Sequence, residues 1–259
     1  MRRLATTLAA ACLLAGPAVA QEATADSGWI VDVGAVGRLR PTHLGASQYI
    51  VDWAPVLQAT WNDRVTLSFD DGAKWTLGTL GPVSFGPIAE YRQTYNDNLP
   101  SGAFRMHDAI EIGGFGNVRT PIGVVETRLR HAVNSYDGWS GEIAFNTGAQ
   151  VTPKLELAGQ LRLAWADSSF SQEFFGLRPH EAARFGLPRF LDNDYLGAGA
   201  EVDVIREITP KFHAVMALSA DRMVGEIPVT PLVQTRNIFE ASVGLTYHWA
   251  QGPQRRSTP

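Results

Sequence analysis

The chain has 259 residues, 45% hydrophobic and 19% charged, with a single Cys and a formal net charge of −4. This balance excludes a disordered chain, one cysteine excludes a disulfide scaffold, and a sequence pI near 5.9 argues against a nucleic-acid partner. Beyond residue 20 no apolar run reaches the ~18 residues that a membrane-spanning helix needs.

The first segment reads as an address. Met1-Arg2-Arg3 is followed by an apolar run from Leu4, a break at Gly16-Pro17 and then Ala18-Val19-Ala20. A basic start, a short apolar stretch and an A-x-A site describe a secretory signal, with cleavage expected between Ala20 and Gln21. Cys12 then falls inside the removed part. Ala9-Ala10-Ala11 ahead of it is a poor match to a lipidation site, so a mature chain without cysteine is expected.

From there to the end, period-two alternation recurs and helical periodicity is nearly absent. Val65, Leu67 and Phe69 oppose Arg64, Thr66, Ser68 and Asp70, and Val125 and Leu129 oppose Glu126, Arg128 and Arg130. Trp139, Ile143 and Phe145 oppose Ser140, Glu142 and Asn146. Leu155, Leu157, Leu161, Leu163 and Trp165 oppose Lys154, Glu156, Gln160 and Arg162. Turn signals such as Asn62-Asp63, Asp70-Asp71-Gly72 and Tyr136-Asp137-Gly138 separate the runs. Strands are expected at about 28–37, 48–61, 64–70, 73–80, 83–93, 104–116, 121–132, 138–149, 154–166, 195–207, 210–222 and 235–249, which gives about 12 within a range of 10–14. The one helix-like stretch is 179–185, inside a long loop over 170–194.

Alternation by itself leaves open which face meets water, since a soluble sandwich or lipocalin-like barrel alternates too. Three features favour apolar faces turned outward. Full charges recur on the polar faces and suit a hydrated lumen (Glu126, Arg128, Arg130, Glu142, Glu156 and Arg162). Aromatics such as Trp29, Tyr49, Trp61, Trp75, Trp139, Trp165, Tyr195, Tyr247 and Trp249 gather near strand ends, as interfacial girdles do. The last strand reads Ser242-x-Gly244-x-x-Tyr247-x-Trp249, like an outer-membrane assembly signal, with a polar tail over 250–259 after it. The expected fold is an all-β, closed, antiparallel up-and-down transmembrane barrel over 21–249, because spanning strands must leave no unpaired edge in hydrocarbon.

Several stretches resemble the MipA/OmpV family of MltA-interacting outer-membrane proteins. Pro41-Thr42-His43-Leu44-Gly45-Ala46-Ser47 is similar to the family's P-x-Y-x-G-S, with His43 or Leu44 in place of the tyrosine. Gly86-Pro87 ahead of Tyr91-Arg92, Phe174-Phe175-Gly176-Leu177 running into Gly186-Leu187-Pro188, Ile227-Pro228 and the closing Gly244-Leu245-x-Tyr247-x-Trp249 are also similar to it. Phe185 stands where a small residue is usual. The resemblance implies a non-enzymatic barrel of the cell outer membrane, in contact with its lipid, and a scaffold between a murein transglycosylase and a murein synthase. A diffusion channel, an adhesin and a rim-located hydrolase are the alternatives.

Few residues stand out as sites. Phe175, Gly176, His180, Glu181 and Arg184 are candidates for plugging the lumen or docking a partner, because long loops in compact barrels are often functional. Asp192-Asn193-Asp194 lacks the further acidic ligands of a calcium loop and reads as a turn. The six histidines are scattered, with no HExxH and no G-x-S-x-G. No catalytic residue, cofactor or metal ligand is assigned from sequence, and a monomer is expected.

Overall fold

The computed structural model describes residues 28–99, 107–185, 193–225 and 232–251. The leader with Ala20 and Gln21, the tail beyond Gln251, and Asp192 lie outside the described residues. The strands are β1 (Trp29–Pro41), β2 (Tyr49–Trp61), β3 (Val65–Ser68), β4 (Gly72–Trp75), β5 (Gly78–Leu80), β6 (Val83–Arg92), β7 (Ala109–Thr120), β8 (Gly123–Ala132), β9 (Trp139–Thr152), β10 (Leu155–Ala166), β11 (Tyr195–Thr209), β12 (Phe212–Met223) and β13 (Asn237–Ala250). Two short helices, α1 (Ser168–Phe174) and α2 (Pro179–Phe185), lie between β10 and β11.

Apart from β4 and β5, which both pair with β6, every strand pairs antiparallel with its chain neighbours, and the ring is completed at two places. The first strand pairs with the last, Asp32 opposite His248 and Val36 opposite Gly244. In addition β4 pairs with β6, Ala73 opposite Ala89. β4 and β5 are one strand interrupted at Thr76-Leu77. The registers on its two sides (Lys74 opposite Ile88, Gly78 opposite Phe85) differ by one residue, as across a β-bulge. Counted that way the barrel is closed and has twelve strands. Gly86 sits opposite the interruption, where a Cβ would meet the Trp75 carbonyl oxygen.

The polarity is inverted relative to a soluble barrel. On β8, Glu126, Arg128 and Arg130 are buried while Thr127 and Leu129 between them are exposed. On β10, Leu157, Leu161 and Leu163 are exposed and face outward, away from Gln160 and Arg162. Most full-length strands run 10 to 15 residues, enough to cross a hydrocarbon layer that requires ~9–11 tilted residues. Short turns join the strands at the end holding residues 28 and 251, and Asn62 and Asp63 there both take positive φ, as a tight hairpin turn requires. Trp29, Trp61, Trp75, Tyr247 and Trp249 gather at this end and Tyr49, Trp139 and Trp165 at the other, so the aromatics form two belts. Tyr195 departs from the expected girdle. It packs inward against Phe170 and Phe175, because a hydrophobic cap lies above it.

The wall has one notch. β3 and β4 have four residues each and end at the turn before Gly72, so they cover only the short-turn half. Leu57 still accepts a bond from the Phe69 N–H at 3.0 Å. Farther along the same edge, Val51 and Trp53 pair with β1 on one side, and no strand among the described residues pairs with them on the other. They are also the most open large side chains of the outer face, at 72% and 80% exposure. Pro55 on this edge removes one donor that would otherwise go unpaired. The loop after β6 backs the notch from inside: Tyr95 lies beneath the Arg40 guanidinium at 3.7 Å and Asp97 accepts from Arg40 Nη2 at 2.9 Å.

Candidate functional site: a capped mouth over a charged lumen

The long loops close one end of the barrel. Phe170, Phe174 and Phe175 from α1 and its C-terminal end, Tyr136 from the β8–β9 loop, Val233 from the β12–β13 loop and Leu44 from the β1–β2 loop form a single apolar cluster. Ala109, Ala132, Ala166, Met223 and Ile238 on the strand ends join it. Phe170 and Phe174 stack at 4.3 Å, and Tyr136 meets Phe174 edge-on at 5.7 Å. The cluster therefore reaches the ends of β7, β8, β10, β12 and β13, and Tyr195 of β11 packs against it. Backbone and side-chain bonds tie the loops to each other: His43 Nε2 lies 3.0 Å from the Leu232 carbonyl, Gln234 N donates to Gly45 O at 2.7 Å, and Asp97 N donates to Thr42 O at 3.1 Å.

Local sequence explains both helices of this cap. Asp167 precedes α1 and its carboxylate accepts from the Phe170 N–H at 3.2 Å, an N-cap that also holds Trp139 N at 2.7 Å. α2 opens on Pro179, whose missing N–H costs nothing in a first turn. The buried Glu181 reaches back to accept from Arg178 N at 2.7 Å, half of a capping box. Sequence reading anticipated α2 but not α1, whose apolar Phe170 and Phe174 look like loop residues until the cap that buries them is assembled. Among the loop candidates, Phe175 and Glu181 are buried within the cap, Gly176 ends α1, and His180 and Arg184 are exposed on its outside.

Beneath the cap the lumen carries paired charges in three sectors. In the first, the fully buried Glu111 accepts from Arg92 Nε at 2.6 Å and Ser140 Oγ at 2.9 Å, and the Tyr136 hydroxyl donates to it. Arg130 lies between Glu111 and Glu90, and Arg128 bonds Glu126 and reaches Asp71 of the β3–β4 turn at 2.6 Å. Glu142 lies at the margin, 3.9 Å from Arg128. In the second sector Arg162 donates to Asp221 at 2.9 Å and to Glu201 at 3.1 Å. In the third, Asp52 accepts from Arg38 and Arg40 at 3.2 and 2.7 Å. Glu156 stands apart from all three, exposed near the short-turn rim.

Sequence reading places Asp221 on the polar face of its strand, opposite Phe212, Ala214, Met216 and Leu218, but does not single out Glu90, Arg92 and Glu111. The same alternation, extended along β6 and β7, places these three on the inner face. It cannot say which charges meet, because the partners are supplied by neighbouring strands and by a turn that folds inward. Outside the strands, burial pushes the Tyr136 phenol above its usual range, and the adjacent Glu111 carboxylate adds to that rise. Burial would raise the Asp108 carboxyl, but hydrogen bonds from Tyr91 and from the Thr94 backbone and hydroxyl outweigh it and hold Asp108 below the carboxylate norm.

The proposed assembly residues lie on the seam. Ser242 and Gly244 face inward opposite Arg38 and Val36, while Tyr247 and Trp249 face outward opposite Val33 and Val31. Tyr247 meets Phe212 edge-on at 5.4 Å. A Cβ on Gly244 would collide with the Ala35 carbonyl oxygen, so the first and last strands approach as they do only with glycine there.

No curated protein matches the chain. Among solved structures, Ail, the attachment invasion locus protein of Yersinia pestis, is similar at 12% identity, over 86% of this chain and 99% of that one, with a TM-score of 0.24. The family model described as MltA-interacting protein MipA matches residues 33–249. The chain belongs to the MipA family.

Proposed function

We propose that this protein is a non-catalytic barrel of the outer membrane that works by binding, joining a murein transglycosylase to a murein synthase at the inner surface of that membrane. The observation that carries a binding role over a conducting one is the capped mouth: an apolar cluster anchored on the ends of β7, β8, β10, β12 and β13 lies across this rim. The paired lumen charges act with it, since residues already neutralised by neighbours make a filled interior rather than a selectivity ring. The outward apolar face and two aromatic belts support the membrane setting. The family's description names MltA as an interacting partner. Histidine contacts outside the lumen support structural roles: His43 is tied to a backbone carbonyl and His131 to Asp137.

Two measurements test the reading. Purified barrel immobilised in detergent is expected to retain a murein transglycosylase from envelope extract, and loss of that capture with an intact barrel would overturn the scaffold. In planar bilayers no conductance steps are expected. Regular steps at moderate potential would instead establish the diffusion channel.

A further inference from the structure

We propose that Asp32, His213 and His248 bind one divalent transition-metal ion at the short-turn end of the lumen, across the seam where the barrel closes. The three residues lie on adjacent strands β12, β13 and β1, all on the inner face. Asp32 is opposite His248 in register, and His213 is one pair farther along, opposite Thr246. One donor atom from each residue can be chosen so that all lie within 4.8 Å of one another. His248 Nδ1 stands 2.9 Å from Asp32 Oδ1, and the two imidazoles stack at 5.1 Å with planes 24° apart.

The chemistry of the donor set selects the ion. Two imidazoles and one carboxylate suit zinc, nickel, copper or cobalt, whereas magnesium and calcium prefer all-oxygen shells. A tetrahedral zinc holds its donors ~3.3 Å apart, so closing the set around an ion requires about an ångström of ring movement. Three protein ligands leave a position for water or for a fourth donor. Glu207, opposite His213 on β11, is the next carboxylate along the row. The site also has a structural consequence. Asp32 and His248 are 216 residues apart and meet only when β1 pairs with β13. An ion there binds the closed barrel and not the open chain, so it stabilises closure by mass action.

The test uses the mature full chain without a polyhistidine tag, folded in detergent, with zinc as titrant and magnesium as control. Expected are saturable uptake of about one zinc per barrel and no comparable uptake of magnesium. At a hundredfold excess over Kd the temperature at which the compact form unfolds on gels should rise by about 5–10 °C, reversed by a chelator. His248→Gln is expected to weaken uptake at least tenfold and abolish the shift. His213→Gln, which leaves the Asp32–His248 pair in place, should weaken it similarly and keeps the test valid if the first variant fails to fold. No saturable uptake by the native barrel, equal uptake of magnesium, or unchanged affinity in His213→Gln would each overturn the proposal.

Discussion

The Tyr136 hydroxyl donates to the fully buried Glu111 carboxylate, joining the apolar cap to the charge network beneath it. Glu111 also receives bonds from Arg92 and Ser140, so one carboxylate anchors the top of the lumen and the underside of the lid. Tyr136→Phe should leave the barrel assembled and lower its stability by about 1.5–3 kcal/mol, the range for a hydrogen bond to a charged group. Unfolding temperature in detergent measures it.

The same phenol gives a pH signature. Its folded pKa lies above the unfolded value, so the fold favours the protonated form. The stability it contributes is fully present below the ordinary tyrosine pKa of ~10 and is lost as pH rises through the higher folded value. Stability of the native barrel should fall above pH ~10, and Tyr136→Phe should flatten that decline. An identical alkaline profile in the variant would show that the decline has another source.

Leu161 projects from the middle of β10 with 61% exposure, opposite Phe145 and Ala200 of the neighbouring strands. Leu161→Arg should cost ~2–4 kcal/mol if this face meets hydrocarbon, reducing the heat-modifiable form in membranes. Normal assembly of the variant would argue for a water-facing wall.

Glycines make the close approach at both closures, Gly34 and Gly244 where β1 meets β13, Gly72 and Gly86 where β4 meets β6. Gly72 has φ +72, and a Cβ there would strike the Ala89 carbonyl where β4 meets β6, as one on Gly244 would strike Ala35 where β13 meets β1. Gly72→Val and Gly244→Val should each block formation of the compact barrel, whereas Gly37→Val, where a Cβ would stay 3.9 Å from the Val243 carbonyl oxygen, should reduce it far less. Refolding yield on unheated gels separates the three.

Ser171 Oγ is buried in α1 without a hydrogen-bond partner. An unmet buried hydroxyl costs ~1–3 kcal/mol, so Ser171→Ala should be neutral or stabilising. A loss of stability greater than 1 kcal/mol would show that the hydroxyl has a partner in solution.

Alternation along β8, β10 and β13 was legible directly, because a strand sends successive side chains to opposite faces whatever surrounds it. So were most strand positions and the helix at α2, where Pro179 and Glu181 carry their own local signal. The break at Thr76-Leu77 and the short reach of β3 and β4 were not, since the reading 64–70 and 73–80 gave two ordinary strands. What shortens them is the inward fold of the turn that brings Asp71 to Arg128, a contact 57 residues apart.

The sequence by itself determined the repeating amphipathic strands, the turns between them and the side of each strand that carries charge, all properties of a few consecutive residues. Only the tertiary structure decided that loops far apart in the chain pack into one lid, which arginine meets which carboxylate, and that Asp32 stands beside His213 and His248. Closure of the ring makes those neighbours, and a pairing between the first and last strands leaves no trace in any local stretch of the chain.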